Sequence, residues 1–212
     1  MKVNEILSHV DHTQLKAYCT WEDIRTLCEE ATELHTASVC VPPCYIKRIR
    51  EAYPAMNICT VVGFPLGYSV TEAKAAETKK ALEDGADEID MVINITDVKN
   101  GDYSAAEEEI RTIRRITKGK ILKVIIETCY LTEGEKIKLC EIVTKAGADY
   151  IKTSTGFGTA GASLEDIRLF KEHIGPEVKM KAAGGIRARE AMEAYLEAGC
   201  DRIGSSSAKN IL

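Results

Sequence analysis

The chain has 212 residues, 45% hydrophobic and 29% charged, with only 15 Gly and 5 Pro, which excludes collagen-like, low-complexity and disordered classes. Lysine plus arginine number 28 against 33 acids, and the resulting charge of −5 has the wrong sign for holding nucleic acid nonspecifically. No linker or compositional break divides the sequence, so one domain over residues 1–212 is expected.

Apolar runs of strand length alternate with charged segments of helical period. His9–Leu15 predicts the first strand, and Thr20-x-x-Asp23 then opens a helix with a capping hydroxyl three residues before an acid. Ser38–Val41 and Ile58–Phe64 follow as strands two and three. The stretch from Tyr53 to Thr71 carries no charge, but Pro54, Gly63, Pro65 and Gly67 make it strand and turn instead of a membrane span. Glu88–Ile93 and Ile121–Glu127 are strands four and five, and Thr132-x-x-Glu135 caps the next helix. Tyr150–Ser154 precedes the capping pair Ser163-x-x-Asp166, and Val178–Ala182 and Arg202–Ser205 complete eight strands. Gly85, Gly147, Gly175 and Gly199 are read as helix stops. Strict β-α alternation predicts a parallel sheet, and eight units close naturally into a (β/α)₈ barrel, with a doubly wound open sheet as the alternative.

The terminus Met1-Lys2-Val3-Asn4-Glu5 lacks the pattern of a signal peptide, so a cytoplasmic protein is expected, without membrane contact. Eight cysteines at irregular spacing include no C-x-x-C pair and read as buried reduced thiols. Cys40 and Cys44 lack neighbouring ligand residues in the sequence, so no metal site is expected.

A pattern G-[AC]-D-x-I-x recurs as Gly85–Asp90, Gly147–Lys152 and Gly199–Gly204. Its sixth residues, Asp90, Lys152 and Gly204, fall at one depth and on the face opposite the repeated Ile. In a barrel the Ile faces the outer helices, so Asp90 and Lys152 point into the lumen. Lys152, in the middle of its strand, and Lys181, just before Ala182-Ala183-Gly184-Gly185, are buried-lysine candidates; an edge or snorkelling lysine is the bland alternative for Lys152. An ammonium beside another ammonium is pushed toward the neutral amine that Schiff-base chemistry requires, and Asp90 would relay protons or serve as counter-ion. Lys123 and Glu127 share parity and extend this charge network, whereas Lys179 lies at the exposed bottom of the barrel. The Gly-rich ends Ala183–Arg187 and Gly204–Ser207 suit an anion after strands seven and eight.

Several motifs in order then resemble the 2-deoxyribose-5-phosphate aldolase family. They are Val10-Asp11-His12-Thr13, Glu88–Val92, Leu122–Glu127, Lys152-Thr153-Ser154-Thr155-Gly156, Lys181–Gly185 and Arg202–Ser206. The resemblance spans nearly the whole chain. It implies a metal-independent barrel lyase with Lys152 as Schiff-base lysine, Asp90 as proton-relay acid and Lys181 as second lysine. It further implies phosphate or substrate contacts at Thr155, Gly156, Gly184, Gly185, Gly204, Ser206 and Ser207, with Asp11, Thr13, Cys40 and Lys123 in support. The implied reaction needs no cofactor and splits 2-deoxyribose 5-phosphate into glyceraldehyde 3-phosphate and acetaldehyde, with the break expected at C3–C4. The implied partners are a sugar phosphate, an aldehyde and a second copy of the chain.

Two departures from the family stand out. Relatives often end in a Tyr that helps proton transfer, whereas this sequence reads Asn210-Ile211-Leu212, and Phe157 stands where some relatives carry a phosphate-binding Lys. Phosphate affinity is therefore expected to rest more on backbone amides. A phosphate-binding epimerase or isomerase, a transaldolase-like lyase and a non-catalytic sugar-phosphate binder are the competing readings. Only the Schiff-base lyases explain two luminal lysines beside an acid.

Overall fold

The computed structural model describes residues 1–211; Leu212, at the terminus contrasted above with a terminal Tyr, lies outside the described residues. A short helix α1 (Val3–Leu7) leads into β1 (Val10–Thr13), followed by α2 (Trp21–Leu34), β2 (Ser38–Val41), α3 (Ile46–Ala52) and β3 (Ile58–Val62). Then come α4 (Thr71–Glu83), β4 (Glu88–Val92), α5 (Ile95–Lys99), α6 (Tyr103–Ile116) and β5 (Ile121–Ile125). The last units are α7 (Glu133–Ala146), β6 (Tyr150–Lys152), α8 (Leu164–His173), β7 (Lys179–Ala183), α9 (Arg189–Ala198) and β8 (Arg202–Ser205). The eight strands form a closed barrel in chain order, all pairs parallel, with β1 joined to β8 through Val10↔Ile203. Closure rejects the open-sheet alternative.

The expected caps set the helix starts. Thr20 and Thr132 each form a capping box with an acid three residues on, and Ser163 accepts from the backbone N–H of Asp166. Gly147 and Gly199 end α7 and α9 in the left-handed conformation that glycine adopts without steric penalty. Gly175 differs from expectation: α8 ends at His173 with Ile174 extended, and Gly175 is small because a Cβ there would meet the Thr144 methyl at 2.4 Å.

Each helix covers the barrel with one face. In α2, Ile24, Leu27, Cys28, Ala31 and Leu34 recur at helical spacing and are buried. Removing such a side chain from water contributes about 1.5–3 kcal/mol for each large aliphatic residue. Alternate strand residues, among them Ile89 and Ile151, face these helices, which sends Asp90 and Lys152 inward. Of the eight cysteines, all free, Cys28, Cys40, Cys59, Cys140 and Cys200 are buried, whereas Cys19 and Cys129 are half-buried and Cys44 is exposed. The expectation of buried thiols therefore fails at Cys44, which lies in the short turn Pro43–Tyr45 after β2.

Candidate active site

The barrel lumen carries a charge network to which every strand contributes. Asp90 Oδ2 accepts from Lys152 Nζ of β6 at 2.7 Å and from Lys181 Nζ of β7 at 2.8 Å. Asp90 Oδ1 accepts from Lys123 Nζ of β5 at 2.8 Å and from the Cys59 thiol of β3 at 3.1 Å. Asp11 of β1 receives Ser38 Oγ of β2 at 2.8 Å and Arg202 of β8 at 2.5 Å on Oδ1, while Lys181 Nζ lies 2.5 Å from Oδ2. Lys123 Nζ also reaches Glu88 Oε2 at 2.5 Å, and Arg202 grips both oxygens of Glu88 at 3.1 and 3.0 Å. Lys152 is 3% exposed and Lys181 fully buried, which removes the snorkelling alternative.

Burying an ion costs several kcal/mol unless it is paired and hydrogen-bonded. Here Lys123, Lys152, Lys181 and Arg202 face Asp11, Glu88 and Asp90, so the pairing is near complete with one cation in excess. Burial disfavours the charge on Lys181, but the Asp11 and Asp90 carboxylates outweigh it and hold this ammonium above the ordinary lysine range. Lys123 is held up in the same way, chiefly by Asp90. For Asp90 burial pushes upward, yet the Lys123, Lys152 and Lys181 ammoniums prevail and keep it well below the usual carboxylate range. The resting lumen thus holds an ionised Asp90 between lysines.

Glu127 does not join this network. Parity fails because β5 ends at Ile125 and Glu127 takes the left-handed conformation, φ 52°, which is uncommon outside glycine. Its buried carboxylate turns to Thr155 instead, accepting from the backbone N–H at 3.2 Å and from the hydroxyl. Lys179 is exposed at the start of β7, as parity required.

Above the lysines opens a pocket of about 240 Å³ with Lys152 on its wall, and neither Lys123 nor Lys181 reaches it. Thr13, Thr155 and Gly156 line one part, and Gly184, Gly185, Gly204 and Ser206 another. Ser207 is not on the lining; its backbone N–H donates to Ser205 Oγ at 3.1 Å. The loop after β7 is tightly seated: Gly184 has φ 92°, and a Cβ on it would lie 2.8 Å from Gly161 Cα. Sequence reasoning missed Lys16 and counted the loop ending in Arg187 for its backbone and not for its cation; both exposed cations stand on the same lining, so the pocket's anion donors extend beyond backbone amides and hydroxyls. Their signal was faint, since each stands in a polar loop. Phe157 lines the pocket too, edge-on to Phe64 with ring centroids 5.3 Å apart.

Cys40 is fully buried on β2, apart from Cys44, and its sulfur lies within 4.8 Å of the Cys59 sulfur and an Asp90 oxygen. The ligand neighbours absent from the sequence around Cys40 therefore exist in space. A cation there would have to displace the lysine ammoniums already on Asp90, so the donor set suits those ammoniums better than a metal ion.

Among the described residues no helix is long and apolar enough to cross a membrane. The chain matches the family described as DeoC/LacD family aldolase over residues 6–212. It is 64% identical over 209 residues to the deoxyribose-phosphate aldolase of Clostridium botulinum strain Alaska E43, covering 98% of this chain and 95% of that one. With the deoxyribose-phosphate aldolase of Clostridioides difficile strain 630 it shares 57% over 211 residues, covering 99% and 96%. Its fold superposes on the tetrameric deoxyribose phosphate aldolase of Aeropyrum pernix with a TM-score of 0.93 at 31% identity, over 99% of this chain and 90% of that one.

Proposed function

The chain belongs to the DeoC/LacD family of aldolases, and on that premise we propose that Lys152 is the lysine through which it works. The protein is a carbon–carbon lyase that reversibly cleaves 2-deoxy-D-ribose 5-phosphate to D-glyceraldehyde 3-phosphate and acetaldehyde. The observation that carries the assignment is an asymmetry. Lys181 is clamped by Asp11 and Asp90, whereas Lys152 has one carboxylate partner and alone of the luminal lysines faces the pocket.

The neutral amine attacks C1 of the open-chain sugar, and loss of water from the carbinolamine gives an iminium. Acetaldehyde carries away C1 and C2, so the bond broken is C2–C3; this corrects the expected C3–C4. The electron pair of that bond moves into the iminium to form an enamine as the C3 hydroxyl loses its proton and glyceraldehyde 3-phosphate departs. Protonation of the enamine at C2 and hydrolysis release acetaldehyde and restore Lys152. Asp90, flanked by both lysines, takes and returns these protons with water, and Lys181 stays charged to hold Asp90 in place. The phosphate sits against Gly184, Gly185, Gly204 and Ser206, facing Lys16 and Arg187.

The covalent iminium replaces a cofactor, so chelator treatment is expected to leave turnover unchanged. Borohydride with 2-deoxyribose 5-phosphate freezes the iminium as an amine, and peptide mass mapping is expected to find it on Lys152. An adduct on Lys181 would exchange the two roles. No adduct on a turning-over enzyme would end the Schiff-base reading. We also assign the reaction to the cytoplasm and to a homodimer; light scattering at the mass of one or four chains would overturn the dimer.

A further inference from the structure

We propose that Cys59 is a positioning residue for Asp90: its S–H fixes Oδ1 of the carboxylate so that Oδ2 alone is presented to Lys152 and Lys181. The inference rests on the reading that Asp90 handles protons for Lys152.

A carboxylate turns readily about its Cβ–Cγ bond, so its orientation has to be imposed by what its oxygens touch. Lys123 is a poor locator by itself, because its ammonium is shared among Asp90 at 2.8 Å, Glu88 at 2.5 Å and Asp11 at 3.7 Å. Cys59 is fully buried and has a single proton to give. Of its acceptors, Asp90 Oδ1 lies at 3.1 Å and Thr60 O at 3.9 Å, while the Cys40 sulfur is a weak acceptor. The charged oxygen therefore takes the proton. Burial, then Cys40 and Asp90, hold this thiol well above its ordinary pKa, so the donor is always present. Lys123 Nζ in turn donates to the Cys59 sulfur at 3.3 Å, which completes a chain from Lys123 through Cys59 to Asp90.

The residue type matters. A further lysine or arginine on Oδ1 would add a second excess cation to the lumen, whereas a thiol donates without changing the charge count. An alanine would leave Oδ1 with Lys123 alone and a gap beside it. The alternative role for Cys59 is to fill space between β2 and β4, and valine would perform that role nearly as well.

The experiment compares Cys59→Ala, Cys59→Val, Cys59→Ser and Lys152→Ala in steady-state kinetics and thermal unfolding. Cys59→Ala and Cys59→Val are expected to lower kcat about 5- to 10-fold, the change one hydrogen bond is worth, with KM within about twofold. Cys59→Val is expected to keep the wild-type Tm, and Cys59→Ser, which retains a donor, to recover kcat to within about twofold. Wild-type kcat in Cys59→Val would overturn the inference and leave Cys59 as filling. An equal loss of kcat and Tm in all three Cys59 variants would overturn it too. Inactive Lys152→Ala beside fully active Cys59→Val sinks this inference alone, while active Lys152→Ala sinks the Schiff-base reading with it.

Discussion

Lys152 and Lys181 place their ammonium nitrogens on the same oxygen of Asp90, at 2.7 and 2.8 Å, from positions that are register partners on β6 and β7. The surroundings treat the two ammoniums differently. Lys181 has Asp11 as a second carboxylate, and Lys152 has the pocket. The same pair of residue types thus supplies one lysine that stays charged and one that can react.

Removing each lysine should fail differently. Lys152→Ala is expected to abolish the borohydride adduct altogether. Lys181→Met keeps a reactive amine at 152 but loses the charge that anchors Asp90, and kcat should fall by up to about 10²- to 10⁴-fold, the range for the proton transfer that a displaced Asp90 no longer performs. A slowly forming adduct on Lys152 in this variant, read by intact mass, confirms the division. A Lys181→Met enzyme at full rate contradicts it.

Glu127 offers a single-group pH test. Burial raises its carboxyl pKa against the hydrogen bonds from Thr155, so the folded protein binds this proton more tightly than the unfolded chain does. The stability it contributes is present below the unfolded value of about 4.3 and is lost as pH rises through the higher folded value. The Tm of the wild type minus that of Glu127→Gln should therefore shrink as pH rises above the unfolded value of about 4.3. A gap that widens with pH would mean the Thr155 contacts outweigh burial.

Outside the lumen, Lys74 donates to Glu109 at 2.6 Å and to Val92 O at 2.8 Å, with the lysine fully buried and the glutamate 3% exposed. Burial drives the lysine pKa down and the glutamate pKa up, so each depends on the other. Lys74→Met should cost about 3–5 kcal/mol by stranding Glu109, and adding Glu109→Gln should return part of that loss. Urea unfolding of the two single variants and the double variant measures the coupling; additive losses would show that the pair is independent.

Gly184→Ala forces a side chain into a left-handed backbone, about 1–2 kcal/mol, and against Gly161 Cα. The loop must shift, and KM for the phosphorylated sugar should rise several-fold. Turnover of unphosphorylated 2-deoxyribose is expected to change less. Equal losses on both sugars would place the damage at Lys152 instead of the anion site.

The eight strands were legible because apolar runs lay between caps and stops, and a charged residue inside such a run has only the lumen to face. That logic located Asp90, Lys152 and Lys181. It stopped at Glu127, where a non-glycine residue in the left-handed region breaks the alternation, a turn that no residue type announces. Cys59 was invisible for the opposite reason: in Ile58–Val62 it reads as one more apolar residue, and its role comes from what stands across the lumen. Glu88 and Arg202 open two of the predicted strands, and their pairing across the lumen shows only once the barrel closes. Lys16 and Arg187 sit in loops, whose convergence on one pocket depends on the fold.

The luminal charges are also sorted along the chain. All three acids, Asp11, Glu88 and Asp90, lie on β1 to β4, and all four bases, Lys123, Lys152, Lys181 and Arg202, lie on β5 to β8. A chain divided between β4 and β5 yields one half that is anionic along its inner wall and another that is cationic. Each half repels its own copies and attracts the other. Co-expressed fragments are therefore expected to find one another as unlike pairs, and activity to return only when both are present.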